Sequence, residues 1–284
     1  MIEIRVPATT ANLGPGFDVL GLAIDRYNTF TFSASEKCNL PEDHLVYRAY
    51  RHAFQALGQP IVEVNIGVKG EIPISRGLGS SAACIVGGIM GANAMLGDPL
   101  DKNEILKLAT EMEGHPDNVS PAIFGGLMIS VMVNDKILVN NMPIQDSIKF
   151  IAIVPDFELS TEMARSVLPK VIDHKDGIYN VARVSLLLSA FATGRMDLIR
   201  EGLNDRLHVP FRSELIPGYQ EVVDRAYKAG AIGCFLSGAG PTIMCLVDGD
   251  AIDIVKELKA FLNSDFPGWN IYEHKMDQNG AIRL

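Results

Sequence analysis

The 284-residue sequence predicts a mixed helix-and-sheet protein in two closely docked halves with a ligand cleft between them. Three observations lead there. Alternating strand-like segments and segments with helical spacing succeed one another from the first residues. The pattern restarts near Gln145 to Lys149 with the apolar strand "FIAIVP". The final third then runs helix, strand, tight loop, strand, helix, strand, with no internal repeat and no low-complexity linker to hold the halves apart.

Each element has its own signal. Ile2, Ile4 and Val6 alternate with polar residues, as in a half-buried strand. "PATTANLGPGFDVLGLAI" reads as a turn-rich loop that returns to apolar residues. Val46, Ala49, Tyr50, Ala53, Phe54 and Leu57 share a helical face, and Gly58 and Pro60 stop that helix. Val62, Val64, Ile66 and Val68 alternate as a strand. After "PISRGLGSSAA", Asp101 with Glu104 three residues on forms a capping box. The helix it opens buries Ile105, Leu108, Ala109 and Met112. "HPDN" breaks that helix, and "AIFGGLMISVMV" reads as a turn and a strand. In the second half, helices are expected over 160–168, 177–193, 197–203, 220–228 and 251–262. Strands are expected at "GCFLSG", "TIMCLV" and 269–273, giving a small sheet with helices on one face.

Composition narrows the function. Apolar content of 48% with 21% charged residues is that of a globular protein. A formal charge of −9 argues against nucleic acid or an anionic membrane as partner, while a small anion can still be held by local cations and backbone dipoles. The start shows no apolar segment behind a basic one, so no secretory signal is read. Cys38, Cys84, Cys234 and Cys245 lack metal-binding spacing and read as reduced thiols of a cytoplasmic protein. The uncharged stretch 77–97 is long enough to span a bilayer and contains Gly87-x-x-x-Gly91. It is rich in Gly and Ala, however, and therefore only weakly hydrophobic. A buried helix approached closely at its glycine face is the expectation, and no membrane.

Five stretches could carry chemistry. In "PISRGLGSSAA", Gly77 and Gly79 permit close backbone approach, and Ser80 and Ser81 fall at a helix start. Their hydroxyls can cap that helix while its free amides meet an anion. The lysine of the Walker pattern and the third glycine of the dinucleotide fingerprint are both missing. Composition alone leaves a tight turn with small-residue packing as an equal reading. In "PATTANLGPGFDVLG", a Gly-Pro-Gly turn can fold Asn12 and Asp18 towards each other, suiting an ammonium or a hydroxyl; a solvated turn is the plainer reading. In "EMEGHPDN", Glu111 and Glu113 oppose the helix dipole unless a cation such as magnesium lies nearby, and His115, Asp117 and Asn118 follow. Thr161 and Arg165 share a helix face, and with Arg212 two arginines could grip a carboxylate. "LSGAGPT" lets backbone approach a ligand, or turns a hairpin.

Together "PATTANLGPGFDVLGLA", "PISRGLGSSAA" and "SGAGPT" resemble, in order, the three motifs of the GHMP kinases. The first is similar to the branch of that family that phosphorylates L-homoserine; galactokinase-like and mevalonate-kinase-like members carry G-E-H there, which this chain lacks. "EGHPDNVSPAIFGG", "ELSTEMARSVLP" and "DRLHVPFR" extend the likeness nearly end to end. The resemblance implies a two-lobed α+β fold, with a lobe over 1–147 like a ribosomal-protein domain and a ferredoxin-like lobe over 148–284. It implies transfer of the γ-phosphoryl group of ATP, with Mg2+, to the side-chain hydroxyl of L-homoserine in threonine biosynthesis. The rival readings are a family member for another small hydroxy amino acid, such as threonine or serine, and a phosphate-binding module without catalysis. By motif, Pro73, Ile74, Ser75, Arg76, Gly77, Leu78, Gly79, Ser80, Ser81, Ala82 and Ala83 would wrap the triphosphate. Asn12, Asp18, His115, Arg165 and Arg212 would hold the amino acid. Glu113, ahead of Glu111, and Ser81 would meet the metal. Asp117, Asn118 and Arg165 are the catalytic candidates, and no dedicated base is expected, since positioning and charge neutralisation can suffice. A homodimer is expected by analogy alone.

Overall fold

The computed structural model describes residues 1–134 and 136–284. Strands β1 (Ile2–Ala11) and β2 (Leu20–Ala34) pair antiparallel over their length, with a register shift between Pro7 and Ala8. Residues 7–11, expected as loop, therefore continue the first strand. The period-2 signal ends at Val6 because every residue from there to Ala11 is buried, and a doubly buried strand shows no alternation. The polar Thr9 and Thr10 are satisfied in place, by Asn118 Oδ1 at 2.8 Å and Ser237 Oγ at 2.7 Å.

The remaining elements of this sheet are β3 (Val64–Gly70), β4 (Leu127–Val133), β5 (Lys136–Met142) and β10 (Ile282–Arg283). The order is β10-β1-β2-β4-β5, with β3 on the far half of β2. Neither β5 nor β10 is legible in the sequence: β5 is a largely exposed edge strand and β10 is two residues long. Through β10 the end of the chain returns to pair with Ile4 and Arg5.

Helices α1 (Leu45–Ala56), α2 (Ser80–Met95), α3 (Lys102–Glu113) and α4 (Pro116–Phe124) accompany this sheet. The capping box at Asp101 is formed, with Glu104 Oε2 accepting from the Asp101 amide at 2.8 Å. "HPDN" does more than break α3. His115 is the N-cap and Pro116 the first residue of α4, so "PDNVSPAIF" is helix rather than turn. The uncharged stretch becomes α2, buried between α1 and β2. A Cβ at Gly87 or Gly91 would enter the ring of Phe30 or Phe32, and one at Gly88 would meet the Val46 carbonyl of α1. The glycine face is thus a sheet-and-helix contact. No helix among the described residues is long and apolar enough to cross a membrane.

The second sheet has the order β7-β8-β6-β9, all antiparallel, from β6 (Ile148–Val154), β7 (Gly233–Leu236), β8 (Ile243–Asp248) and β9 (Asn270–His274). Both faces are buried. Ile151, Ile153, Cys245 and Val247 pack with α9 (Tyr219–Ala229) and α10 (Ile252–Asp265). Phe150, Ala152, Met244 and Leu246 join the core shared with the first sheet and with α6 (His174–Thr193). The expected sheet with helices on one face is therefore sandwiched. Short helices α5 (Thr161–Ser166), α7 (Ile199–Gly202) and α8 (Val209–Arg212) complete the chain; α8 has too few residues to show a period. The four cysteines are free thiols.

Gly88→Val should cost about 1–3 kcal/mol, the range for overpacking a close contact, because its side chain meets backbone rather than a movable group. Urea unfolding measures it; an unchanged midpoint would contradict the packing of α2 on α1.

Candidate functional site

The loop between β3 and α2 takes its shape from two glycines. Gly77 and Gly79 have φ of 75° and 69°, the left-handed region that side chains disfavour. A Cβ at Gly77 would strike the carbonyl oxygens of Ser237 and Gly240, and one at Gly79 would strike Thr9 Oγ1. The loop is bolted to the second half of the chain. Ser237 Oγ donates to the Gly77 carbonyl at 2.6 Å, and the Leu159 amide donates to Ser75 O at 3.2 Å. The Arg76 guanidinium donates to the carbonyls of Pro155 and Asp156 at 3.1 and 3.0 Å and pairs with Glu158 at 3.5 Å. Arg76 is thus engaged in joining the halves, leaving backbone amides to face the cavity.

Gly79, in the left-handed conformation, is the N-cap of α2, and neither serine hydroxyl caps it. This corrects the expected capping role. The first helical hydrogen bond runs from the Ala83 amide to Gly79 O at 2.9 Å, so the amides of Ser80, Ser81 and Ala82 precede it and point along the dipole. Ser81 Oγ instead donates to Glu113 Oε2 at 2.8 Å. Burial raises the Glu113 carboxyl above its ordinary range, opposed only by that hydroxyl. A divalent cation would offset this desolvation, and Glu113 with Ser81 could hold one. Glu111 points elsewhere, to His52 at 3.2 Å.

Two cavities open at this point. One of about 360 Å³ is lined by His44, Leu45, residues 74–77, Gly79, Ser80, Ser81 and Cys84. A second, of about 80 Å³, is lined by Asn12, Asp18, His115, Asp117, Arg165 and Arg212. Glu113, Asn118, Thr161, Gly238 and Ala239 line both. The structure therefore brings together, in one small space, all five residues expected to hold an amino acid.

Their roles differ. Asn12 folds onto Asp18 through the backbone: its Oδ1 accepts from the Asp18 amide at 3.1 Å, while its Nδ2 donates to Gly238 O at 2.9 Å. Asp18 forms a two-point ion pair with Arg165, at 2.7 and 3.2 Å. Arg212 is 2% exposed, with Nε and Nη1 donating to the carbonyls of Ala164 and Gly238. Burial and the neighbouring Arg165 lower it to about 10, which keeps it cationic at neutral pH. Burial, with Arg165 nearby, lowers His115. Asp117 is pushed up to about 7 by burial, with the Asp18 and Glu113 charges adding to it. Asn118 Nδ2 sits 3.5 Å from Asp117 Oδ1, at the outer limit of a hydrogen bond.

A buried support underlies the arginines. His208 lies on Gly14 O through Nε2 at 2.8 Å and stacks on Phe17 with ring centres 5.0 Å apart. The guanidinium carbons of Arg165 and Arg212 lie 5.5 and 5.0 Å from the centre of that same ring. Asp205, buried, accepts from the amides of His208 and Val209 and from Asn180 Nδ2. Sequence reasoning missed Phe17, His208, Asp205 and the far wall at His44 and Leu45. Phe17 and His208 lie inside quoted motifs, so proximity to them was an available signal; His44 and Leu45 offered none.

The descriptions "GHMP kinases N terminal domain" and "GHMP kinases C terminal" match residues 44–126 and 187–264. A homoserine kinase of Clostridium botulinum (strain Eklund 17B / Type B) is 48% identical, covering 99% of this chain and 98% of that protein. A homoserine kinase of Clostridium beijerinckii is 45% identical over 99% and 98%. The crystal structure of homoserine kinase from Cytophaga hutchinsonii superposes with a TM-score of 0.91 at 30% identity, covering 100% and 97%.

The raised Asp117 has a consequence for stability. Between its ordinary value of 3.8 and about 7 the folded carboxyl holds a proton that the unfolded chain releases. The stability of the neutral form is therefore lost as pH rises through about 7. Asp117→Asn, always neutral, should melt above the parent, with a gap about 5 °C wider at pH 8 than at pH 5. Thermal unfolding at both pH values checks this; an equal gap would contradict the desolvation of Asp117.

Proposed function

We infer, for a chain that belongs to the homoserine kinases of the GHMP kinase family, how its two joined cavities divide the transfer of the γ-phosphoryl group of ATP to the side-chain hydroxyl of L-homoserine. The larger cavity takes the nucleotide, with the triphosphate on the amides that open α2. The smaller one takes the amino acid, its ammonium on Asp18 and its carboxylate on Arg165 and Arg212. The carrying observation is their continuity. Glu113, Asn118 and Thr161 border both spaces, so the hydroxyl of a short zwitterion anchored at Asp18 points towards the terminal phosphate.

Magnesium would offset the charge of the phosphate oxygens. Glu113 and Ser81 would hold it. Asp117 and Asn118 orient the hydroxyl. With a proton affinity near 7, Asp117 suits acceptance of the hydroxyl proton as the phosphoryl group arrives, and we favour that role over transfer without a base. The hydroxyl oxygen forms its bond to phosphorus while the bond to the ADP oxygen breaks, and Arg165 helps to fix the substrate throughout. The lobes are proposed to be residues 1–147 and 148–284, with β10 crossing back to the first. A cytoplasmic homodimer is proposed from family analogy alone.

ADP release from ATP and magnesium should depend on L-homoserine and be slower with L-threonine or L-serine. Equal release without homoserine would overturn the reading. Asp117→Asn should lose about 10²–10⁴-fold in single-turnover rate; a loss within a few-fold would remove Asp117 as proton acceptor.

A further inference from the structure

The small cavity holds a closed ion pair between Asp18 and Arg165. Asp18 lies on the loop joining β1 to β2, and Arg165 lies in the last turn of α5. Both side chains are about one-third exposed, at 31% and 34%, and both line the small cavity. Among the described residues, Arg165 is the side chain that donates to the Asp18 carboxylate. The Asn12 amide is fixed on Gly238 O, and Arg212 is anchored on two carbonyls.

We propose that the Asp18–Arg165 pair is a charge-selective latch, opened well only by a ligand that carries an ammonium and a carboxylate together. This rests on the homoserine kinase reading and adds the basis of its selectivity. A zwitterion replaces one ion pair by two, so neither protein charge loses its partner. A hydroxy acid takes Arg165 but strands the Asp18 carboxylate beside a second carboxylate, in a cavity that Glu113 and Asp117 also face. An amino alcohol takes Asp18 and leaves Arg165 unpaired beside Arg212. The latch thus rejects partial analogues through the charge they leave behind.

Independent subsites and a latch predict opposite signs. If Asp18 served only the ammonium, its removal would leave a ligand without an ammonium unaffected. If Asp18 also holds Arg165 closed, its removal frees that arginine. Asp18→Asn suits the test, because Asp18 sits at φ 58°, a conformation that asparagine tolerates. Its backbone amide still donates to Asn12.

The full chain and Asp18→Asn are assayed with ATP and magnesium on L-homoserine and on 4-hydroxybutanoate. For 4-hydroxybutanoate, kcat/KM should rise about tenfold above the parent, while for homoserine it falls at least about tenfold, each factor being ~1.4 kcal/mol. The reverse arm uses Arg165→Gln and 3-aminopropan-1-ol, where a similar rise is expected. Calorimetric binding of the same ligands reads the latch without turnover. If the parent binds homoserine but fails to phosphorylate it, the kinase reading falls and the binding arm still judges the latch. No rise in either arm, by turnover or by binding, overturns the latch while leaving the kinase reading intact. Should Asp18→Asn fail to fold, Arg165→Gln decides.

Discussion

The close approach of the loop before α2 to the turn between β7 and β8 is the constraint on which the rest of the site depends. At Gly77 the two backbones meet with no room for a side chain, and Ser237 Oγ closes the contact onto the Gly77 carbonyl. Thr10 on β1 reaches the same hydroxyl, and Arg76 reaches past it to the end of β6. That joint presents the amides of α2 from the first half of the chain to a cavity also lined by Leu159, Thr161 and Gly238 of the second half. It also sets Asp18 against Arg165 and Arg212, which lie far away in sequence. A catalytic arrangement needs its groups held to within a fraction of an ångström, and here the holding is done largely by backbone.

Desolvation follows from the same closeness. The space between the halves is too small to hydrate every charge, so burial raises Glu113 and Asp117 and lowers His115 and Arg212. Each shift is a cost in the free protein that a ligand can relieve. A cation beside Glu113 and an anionic headgroup beside Arg212 would both be drawn by unmet demand. Asp18 and Arg165, unlike the others, satisfy each other, which makes that pair the point at which ligand charge is tested.

Much of this was legible in the sequence because local chemistry dictated it. The capping box at Asp101, the stop at Gly58 and the helical face from Val46 to Phe54 are local signals, and all are formed. The glycine spacing in "PISRGLGSSAA" anticipated a tight loop at a helix start, though Gly79 rather than a serine caps it. What failed did so where burial is two-sided or pairing is remote. Residues 7–11 lost their alternation because both faces are covered. Strand β10 exists only through its partner β1. "HPDN" carried a break signal whose other meaning, a proline-opened helix, depends on where α3 ends. The five amino-acid-binding candidates came from resemblance, and no spacing rule could have placed Arg212, on a four-residue helix, beside Asp18. Phe17 and His208, which pack beneath the arginines, owe their position wholly to tertiary contact.

The central claim is that polyphosphate and zwitterion meet head to tail across the residues common to both cavities. A crystal structure with a non-hydrolysable ATP analogue, magnesium and L-homoserine tests it most directly. The terminal phosphate is expected at the amides of Ser80, Ser81 and Ala82, beside Glu113. The homoserine hydroxyl should face it, with the ammonium on Asp18 and the carboxylate between Arg165 and Arg212. A triphosphate bound away from the start of α2, or homoserine with its hydroxyl turned from the nucleotide, would contradict the account.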